Sequence, residues 1–319
     1  MKAIIHKKYG SPEVAFLSEV PKPEPLENQA LIKVLASTVN RTDSGFRSAE
    51  YFISRFFSGL IRPKNQILGC EFVGEIVQIG ARVSKFKVGD KIVTFNDKTF
   101  GGHAEFAVVG EDEGIAVAPK NLTLHQCAAL TEGSHYALGN IRASKIEKGQ
   151  HVLVYGATGA IGSAAVQLLK HFGCIVTAVC NTKNIELVRA LGADVVIDYQ
   201  TQDYKKTSQK FDFMFDAVGK SSFKIAKTLL NKKGIYISTE LGKNGQNIFY
   251  ALFTPIFRGR KVLFPIPSTN QEDIIFLVKL AENGEFTPVI DKTYHFSEIV
   301  EAYKYVESAQ KTGNVILLS

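Results

Sequence analysis

Two kinds of hydrophobic periodicity divide the chain. Over the first 120 residues, apolar positions alternate or run in short blocks, at Lys2–His6, Gln29–Ser37, Glu71–Ile79, Lys91–Phe95 and Ala104–Val109. Turn-forming residues separate them, among them Pro21, Pro23, Pro25, Gly80, Gly89, Gly101 and Gly102. Short runs broken in this way predict a β-rich, barrel-type domain with long loops. From about Thr123 the period changes. A helix over His125–Asn140 is followed by strand Val152–Tyr155, helix Ile161–His171, strand Ile175–Val179, helix Ile185–Leu191 and strand Val195–Ile197. Strand Phe211–Phe215, helix Phe223–Leu230, strand Gly234–Ser238 and a last strand over Lys261–Ile266 continue the series. Val- and Ile-rich strands alternating with helices predict a parallel sheet covered on both faces, so the fold class is α/β. The tail, with a helix over Glu272–Glu282 and a strand over Asn314–Leu318, breaks the rhythm and fits either domain.

Composition narrows the class. At 319 residues, 45% hydrophobic and 22% charged, the chain has enough apolar surface for two cores and is no disordered polymer. No apolar stretch approaches the ~20 residues of a membrane helix, and the N-terminus has no signal-peptide core. The expectation is a cytoplasmic protein with no membrane partner. Cysteines at 70, 127, 174 and 180 form no C-x-x-C pair, which suggests reduced thiols. The net charge of +7 is spread thinly, with its densest cluster at Arg258–Lys261, a solvated loop rather than a nucleic-acid footprint.

The strongest local signal is the apolar strand Val152–Tyr155 running into Gly156, Ala157, Thr158, Gly159, Ala160, Ile161 and Gly162, with a helix following. A dinucleotide needs small residues here for a tight turn, close backbone approach to the pyrophosphate, and close packing of helix on strand. The helix start adds free N–H groups and a positive dipole end. Gly159 and Gly162 match the fingerprint's later glycines, and its first falls on Ala157. The second strand leads into Cys180–Asn184, where an NAD-selective site offers a carboxylate to the ribose 2′-hydroxyl. No acid appears before Glu186; Asn181, Thr182, Lys183 and Asn184 are instead donors suited to a 2′-phosphate. The expected cofactor is NADPH (NADP).

With these residues in view, the chain resembles the medium-chain dehydrogenase/reductase superfamily, in its zinc-independent NADPH:quinone oxidoreductase branch. Ala36–Asp43 is similar to the "A-x-x-x-N-x-x-D" segment. Leu68–Val77 with Phe86–Val93 resembles "P-G-x-D-x-x-G-x-V … G-D-x-V", with Glu71 in place of the usual aspartate and Cys70 before it. Phe211–Gly219 and Lys311–Ile316 match the nicotinamide-ribose strand and the final strand, with Asn314 where lysine is common. The resemblance implies a GroES-like β-barrel catalytic domain (1–122 and 267–319), a Rossmann doubly wound parallel-sheet domain (123–266), an active site in the interdomain cleft, and a homodimer. To the cofactor contacts above it adds Tyr199, Ala217, Val218, Gly219 and Phe264.

Zinc-dependent relatives hold catalytic metal at positions matched here by Asn40, Cys70 and Leu130, and one ligand of three makes no tetrahedral site. Cys70 reads as a small buried hydrophobe. No metal is expected. Without a Lewis acid, simple ketones lack electrophilic assistance, whereas quinones and α,β-unsaturated carbonyls accept hydride readily. The catalytic candidates are Asn40, Thr42, where alcohol dehydrogenases place a proton-relay hydroxyl, Asp43, which orients that segment, and Tyr51 as a proton donor. Asn40 reads equally as a residue satisfying backbone groups. The aromatic run from Phe249 to Phe257 suits a substrate pocket, a subunit contact or plain core. A zinc-type alcohol dehydrogenase and a low-turnover NADPH-binding sensor or scaffold are the alternatives.

Overall fold

The computed structural model describes every residue except 51–54 and 266–269, together with the side chain of residue 57. The chain divides into two compact units, Met1–Glu132 with Thr269–Ser319, and Gly133–Ser268.

The first unit contains strands β1 (Lys2–His6), β2 (Ala15–Glu19), β3 (Gln29–Val39), β4 (Glu71–Ile79), β5 (Lys91–Phe95), β6 (Phe106–Gly110) and β7 (Ile115–Val117). Helix α1 (Arg41–Ser48) follows β3, and α2 (Leu124–Ala128) precedes the unit boundary. The second unit begins within α3 (Glu132–Ser144). It continues through β8 (His151–Tyr155), α4 (Ala160–His171), β9 (Ile175–Cys180), α5 (Ile185–Ala190), β10 (Val195–Asp198) and β11 (Phe211–Asp216). Helix α6 (Phe223–Leu229), β12 (Leu230–Ser238), α7 (Gln246–Phe253) and β13 (Lys261–Leu263) complete it. The chain then returns to the first unit with α8 (Gln271–Glu282), β14 (Ile290–His295), α9 (Ile299–Glu307) and β15 (Asn314–Leu318).

In the first unit, the long strand β3 organises a seven-stranded sheet of order β14-β15-β3-β4-β5-β7, with β6 also paired to β3. Register shifts at Leu31/Ile32 and Val34/Ala36 mark bulges, which let one strand bend and serve several partners. The tail, ambiguous in the sequence, belongs here. Val315 and Leu317 of β15 and Ile299, Ala302, Tyr303 and Val306 of α9 share one core with Ile4, Ala15 and Val39. Arg47 ties the same layers: fully buried, it donates to the Gly10 carbonyl and to Glu307, with its guanidinium 4.8 Å from the centre of the Tyr303 ring.

The second unit is a six-stranded, wholly parallel sheet of order β10-β9-β8-β11-β12-β13. Counted within the unit this is 3-2-1-4-5-6, the doubly wound order in which ligands bind beyond the strands' carboxyl ends, where the order reverses between β8 and β11.

Three sequence expectations shift. The helix expected over His125–Asn140 is two, because the chain breaks over Ala129–Thr131. Thr123 and Gln126 form a capping box at the start of α2, which packs on β3 and β4, so the boundary falls after Glu132 rather than at Thr123. The last strand of the parallel sheet stops at Leu263, leaving Phe264 just past its carboxyl end. Helix α1 has little apolar periodicity to reveal it, since Phe46 is its one large hydrophobe.

Candidate functional site

The glycine turn assigns a separate task to each glycine. Gly156 takes φ +80°, a left-handed conformation costly for other residues, and a Cβ there would lie 2.5 Å from Val218 Cγ1. Gly162 packs helix on strand: its Cβ would lie 2.1 Å from the Gly156 carbonyl oxygen. Gly159, which caps α4, is the opposite case, for a Cβ there would meet only the Gly156 oxygen, at 4.0 Å. The backbone is thus bare where a pyrophosphate must approach and tight where strand meets helix. The tight-turn conformation falls on Gly156, just before Ala157, which is buried with its N–H on the Val179 carbonyl. These features fit a dinucleotide.

The other expected cofactor contacts gather at the same carboxyl edge of the sheet. Ala217, Val218 and Gly219 form the turn after β11. Asp216 shapes that turn, its Oδ2 accepting from Ser221 N at 2.8 Å and Tyr236 Oη at 3.1 Å, its Oδ1 from Val218 N at 3.3 Å. Burial pushes the Asp216 carboxyl up, and these donors oppose the shift. Through Val218 the same turn closes over Gly156. After β9, Asn181 precedes a single turn of 3-10 helix, Thr182–Asn184. Lys183 is exposed, and Asn184 is buried with Nδ2 donating to Asn181 Oδ1 at 2.7 Å. Tyr199, half-exposed, follows β10.

The catalytic candidates lie in the first unit. Asn40 is 3% exposed and caps α1: its Oδ1 accepts from Asp43 N at 2.9 Å, and Asp43 completes the capping box. Its Nδ2 donates to Thr38 Oγ1 at 3.3 Å and Cys70 Sγ at 3.2 Å. The whole amide is engaged within the protein, with one backbone group, Asp43 N, and two side chains. Asp43 is fully buried, with Oδ1 accepting from Gly69 N and Cys70 N. Burial pushes its carboxyl up to about 7 against the pull of these backbone donors. His103 Nε2, 3.7 Å from Asp43 Oδ2, donates to the Thr38 carbonyl, and burial drives this imidazole down to about 4. The imidazole is therefore neutral, and the pair is no salt bridge at ordinary pH. Tyr51 lies outside the described residues.

Two further acids complete this cluster: Glu71, seen in the sequence only as a departure from the usual aspartate, and Glu132, which sequence reasoning missed. Glu71 spans it, Oε1 accepting from Thr38 Oγ1 at 2.7 Å and Oε2 from Thr131 N, Thr131 Oγ1 and Glu132 N at 2.8–3.0 Å. It thereby stands at the N-terminus of α3, where a negative charge is favoured. Glu132, 2% exposed, accepts from Thr42 Oγ1 at 2.9 Å. Burial first, then the charge of Glu71, push Glu132 up to about 8, with the Thr42 bond and Lys311 working the other way. Glu71, with four donors, holds the negative charge of the two, and Glu132 keeps its proton at neutral pH. Lys311 is lowered by burial and supported by Glu132, Asp291 and Glu71. Thr42 is half-buried and connects the exterior of the unit to Glu132. The sequence signal was the polar pair Thr131 and Glu132, which stands where the break ends and α3 begins.

Leu130, one of the positions matched to a metal ligand, is fully buried, and it is Glu132 that reaches the cluster instead. Cys70 is buried too, and its thiol is pushed well up by burial and the neighbouring acids, so it is no ready thiolate. Among the described residues no group of three or more His, Cys, Asp or Glu is arranged to hold a metal ion.

Residues 26–120 match an alcohol dehydrogenase GroES-like domain and residues 191–317 a zinc-binding dehydrogenase domain. The 2-methylene-furan-3-one reductase of Solanum lycopersicum is 31% identical over 99% of this chain and 79% of its own length. The chloroplastic NADPH-dependent alkenal/one oxidoreductase of Arabidopsis thaliana is 30% identical over the same shares. A quinone oxidoreductase of Coxiella burnetii superposes with a TM-score of 0.89 at 26% identity, covering 100% of this chain and 99% of that one. The Escherichia coli quinone oxidoreductase complexed with NADPH shares the fold, with a TM-score of 0.85 at 20% identity and complete coverage of both chains.

Proposed function

As the chain belongs to the medium-chain dehydrogenase/reductase superfamily, in its quinone and alkenal oxidoreductase branch, we propose that it reduces quinones or α,β-unsaturated carbonyl compounds with NADPH. The observation that carries this reading is the donor set at Asn40, Cys70 and Glu132. It offers a committed amide, a thiol pushed far up by burial and a carboxyl that keeps its proton, which is a proton-holding centre rather than a metal-holding one.

A dinucleotide held at the glycine turn would supply the hydride. The protein's residues have the complementary task of orienting the acceptor and delivering a proton to the oxygen on which charge develops. Thr42 Oγ1 gives that proton and Glu132 replaces it: the hydroxyl turns its hydrogen from Glu132 to the acceptor, and the protonated carboxyl donates to the hydroxyl oxygen in return. Asn40 and Asp43 hold the start of α1, and with it Thr42, in place. In the second unit, the Gly156–Gly162 turn would hold the pyrophosphate of a bound dinucleotide, and Lys183 would attract its 2′-phosphate. Replacing Lys183 with alanine is expected to weaken NADPH about tenfold and to leave NADH unchanged.

The same reading has the enzyme acting on a small molecule in a reducing cytoplasm as a homodimer. All four cysteines are buried and free, and none of the described helices is long and apolar enough to cross a membrane. The edge strand β13 and the exposed Phe249, Leu252, Ile256 and Phe257 beside it support self-association, which light scattering would measure.

The deciding experiment follows nucleotide oxidation across a panel of quinones, enones, alkenals and simple ketones, with binding of both nucleotides measured separately. Turnover of the conjugated acceptors and not of the ketones is expected. Tight NADPH binding without oxidation of any acceptor would overturn the reading in favour of a sensor.

A further inference from the structure

Along the chain, the loop after β9 carries no acid, but the sheet brings one in from the side. Strand β10 runs parallel to β9 in a register that pairs Asp198 with Cys180, so the last residue of β10 stands beside the loop that follows β9. Asp198 Oδ2 accepts from Thr182 Oγ1 at 2.6 Å, and its Oδ1 accepts from Gln200 N at 2.9 Å. Gln200 Oε1 in turn accepts from Thr182 N at 3.1 Å and lies 2.9 Å from Thr182 Oγ1. The Thr182 bond, first among these, holds the Asp198 carboxyl below the usual carboxylate range, so the charge is present throughout the working pH range. Asn184 is turned inward as well, its amide donating to Asn181. Two of the donors that the loop offers a 2′-phosphate, the Thr182 hydroxyl and the Asn184 amide, are therefore engaged by neighbouring side chains, while Lys183 remains exposed.

We infer that Asp198 is a specificity-determining residue for the nucleotide, opposing Lys183 and holding the preference for a 2′-phosphate below the value that Lys183 alone would give. The physics is direct. A phosphate at the ribose 2′ position brings up to two negative charges to the end of β9, next to a fixed carboxylate, while a 2′-hydroxyl brings none. The Thr182 clamp also fixes the carboxylate in place and withdraws the hydroxyl that would otherwise bind the phosphate. The chain then accepts both nucleotides, with NADPH favoured by a modest ratio. This inference rests on the dinucleotide reading of the glycine turn.

The test uses 2′,5′-ADP and 5′-AMP as probes that differ only in the phosphate, titrated calorimetrically into the full chain. In Asp198→Asn an amide oxygen remains for Thr182 while the charge is gone. Binding of 2′,5′-ADP is expected to tighten about fivefold and that of 5′-AMP to stay within about twofold. The gain should shrink at high salt, as a screened charge effect does and a packing effect does not. Asp198→Ser, which removes the charge without supplying an amide, should move the ratio in the same direction and decides the matter if the asparagine variant folds poorly. An unchanged ratio of the two probes in both variants, or a gain indifferent to salt, would overturn the inference. Failure of the unaltered protein to bind either probe or NADPH would instead overturn the dinucleotide reading itself.

Discussion

The glycine turn of the second unit and the polar cluster of the first reach function by opposite routes. The turn works through what is missing: bare backbone at Gly159, and at Gly156 and Gly162 no room for so much as a methyl group. Nothing in it titrates. The cluster works through what is present. Asp43, Glu71, Glu132 and His103 are all buried, and the side chains of Thr38, Asn40 and Thr131 are committed to their neighbours. A site made of backbone is robust to pH and intolerant of volume; a site made of buried polar side chains is tolerant of volume at its margins and sensitive to every proton.

The largest expected effect breaks the turn by volume alone. Gly162→Val would drive a side chain into the Gly156 carbonyl and should weaken NADPH binding about a thousandfold by calorimetry. Undiminished binding would remove the turn as the nucleotide cradle. Next comes the hydroxyl that opens the cluster. Thr42→Val should lower kcat about a hundredfold with conjugated acceptors and leave the NADPH Kd unaltered; a loss confined to KM would reassign Thr42 to substrate binding. Glu71→Gln offers an amide NH2 to groups that themselves donate, and should cost about 2 kcal/mol in urea unfolding. A neutral outcome would mean that Glu71 is not the charged partner.

The smallest effect is the most diagnostic. Because Glu132 keeps its proton up to about 8 when folded and would lose it near 4.5 when unfolded, the unfolded state gains from ionisation first as pH rises. Its contribution to stability is therefore complete below pH 4.5 and lost progressively as pH climbs towards 8, and kcat should fall above about 8. Glu132→Gln should flatten both profiles. It should leave the pH dependence of NADPH binding untouched, and a change there would blur the contrast between the two regions.

The same contrast explains what could be read in advance. Strands β1, β4, β5 and β15 have the limits that the hydrophobic pattern predicts, and the order strand, turn, helix placed the nucleotide turn, because these depend on residues close in sequence. The role of Glu132 depends on Thr42, ninety positions away, and that of Asp198 on strand register. Neither is written in any local window. Asn40 was in view, yet its function as the cap of α1 emerges only with Asp43 and Cys70 around it.

The tail's membership of the first unit has a consequence for the order in which the molecule is made. Strand β15 pairs with the end of β3, setting Ile316 against Thr38 and Val315 against Val39, and Lys311 lies just before it. The nucleotide unit lies wholly between these partners in sequence. On the ribosome, therefore, the unit begun first is finished last. A nascent chain that already holds a complete nucleotide fold still exposes one side of the end of β3, from Ser37 to Val39, with the segment leading to Thr42 unpaired. Pairing across so long a separation is slow, so chaperones would be expected to hold this unit, and chains released early should bind nucleotide yet turn nothing over.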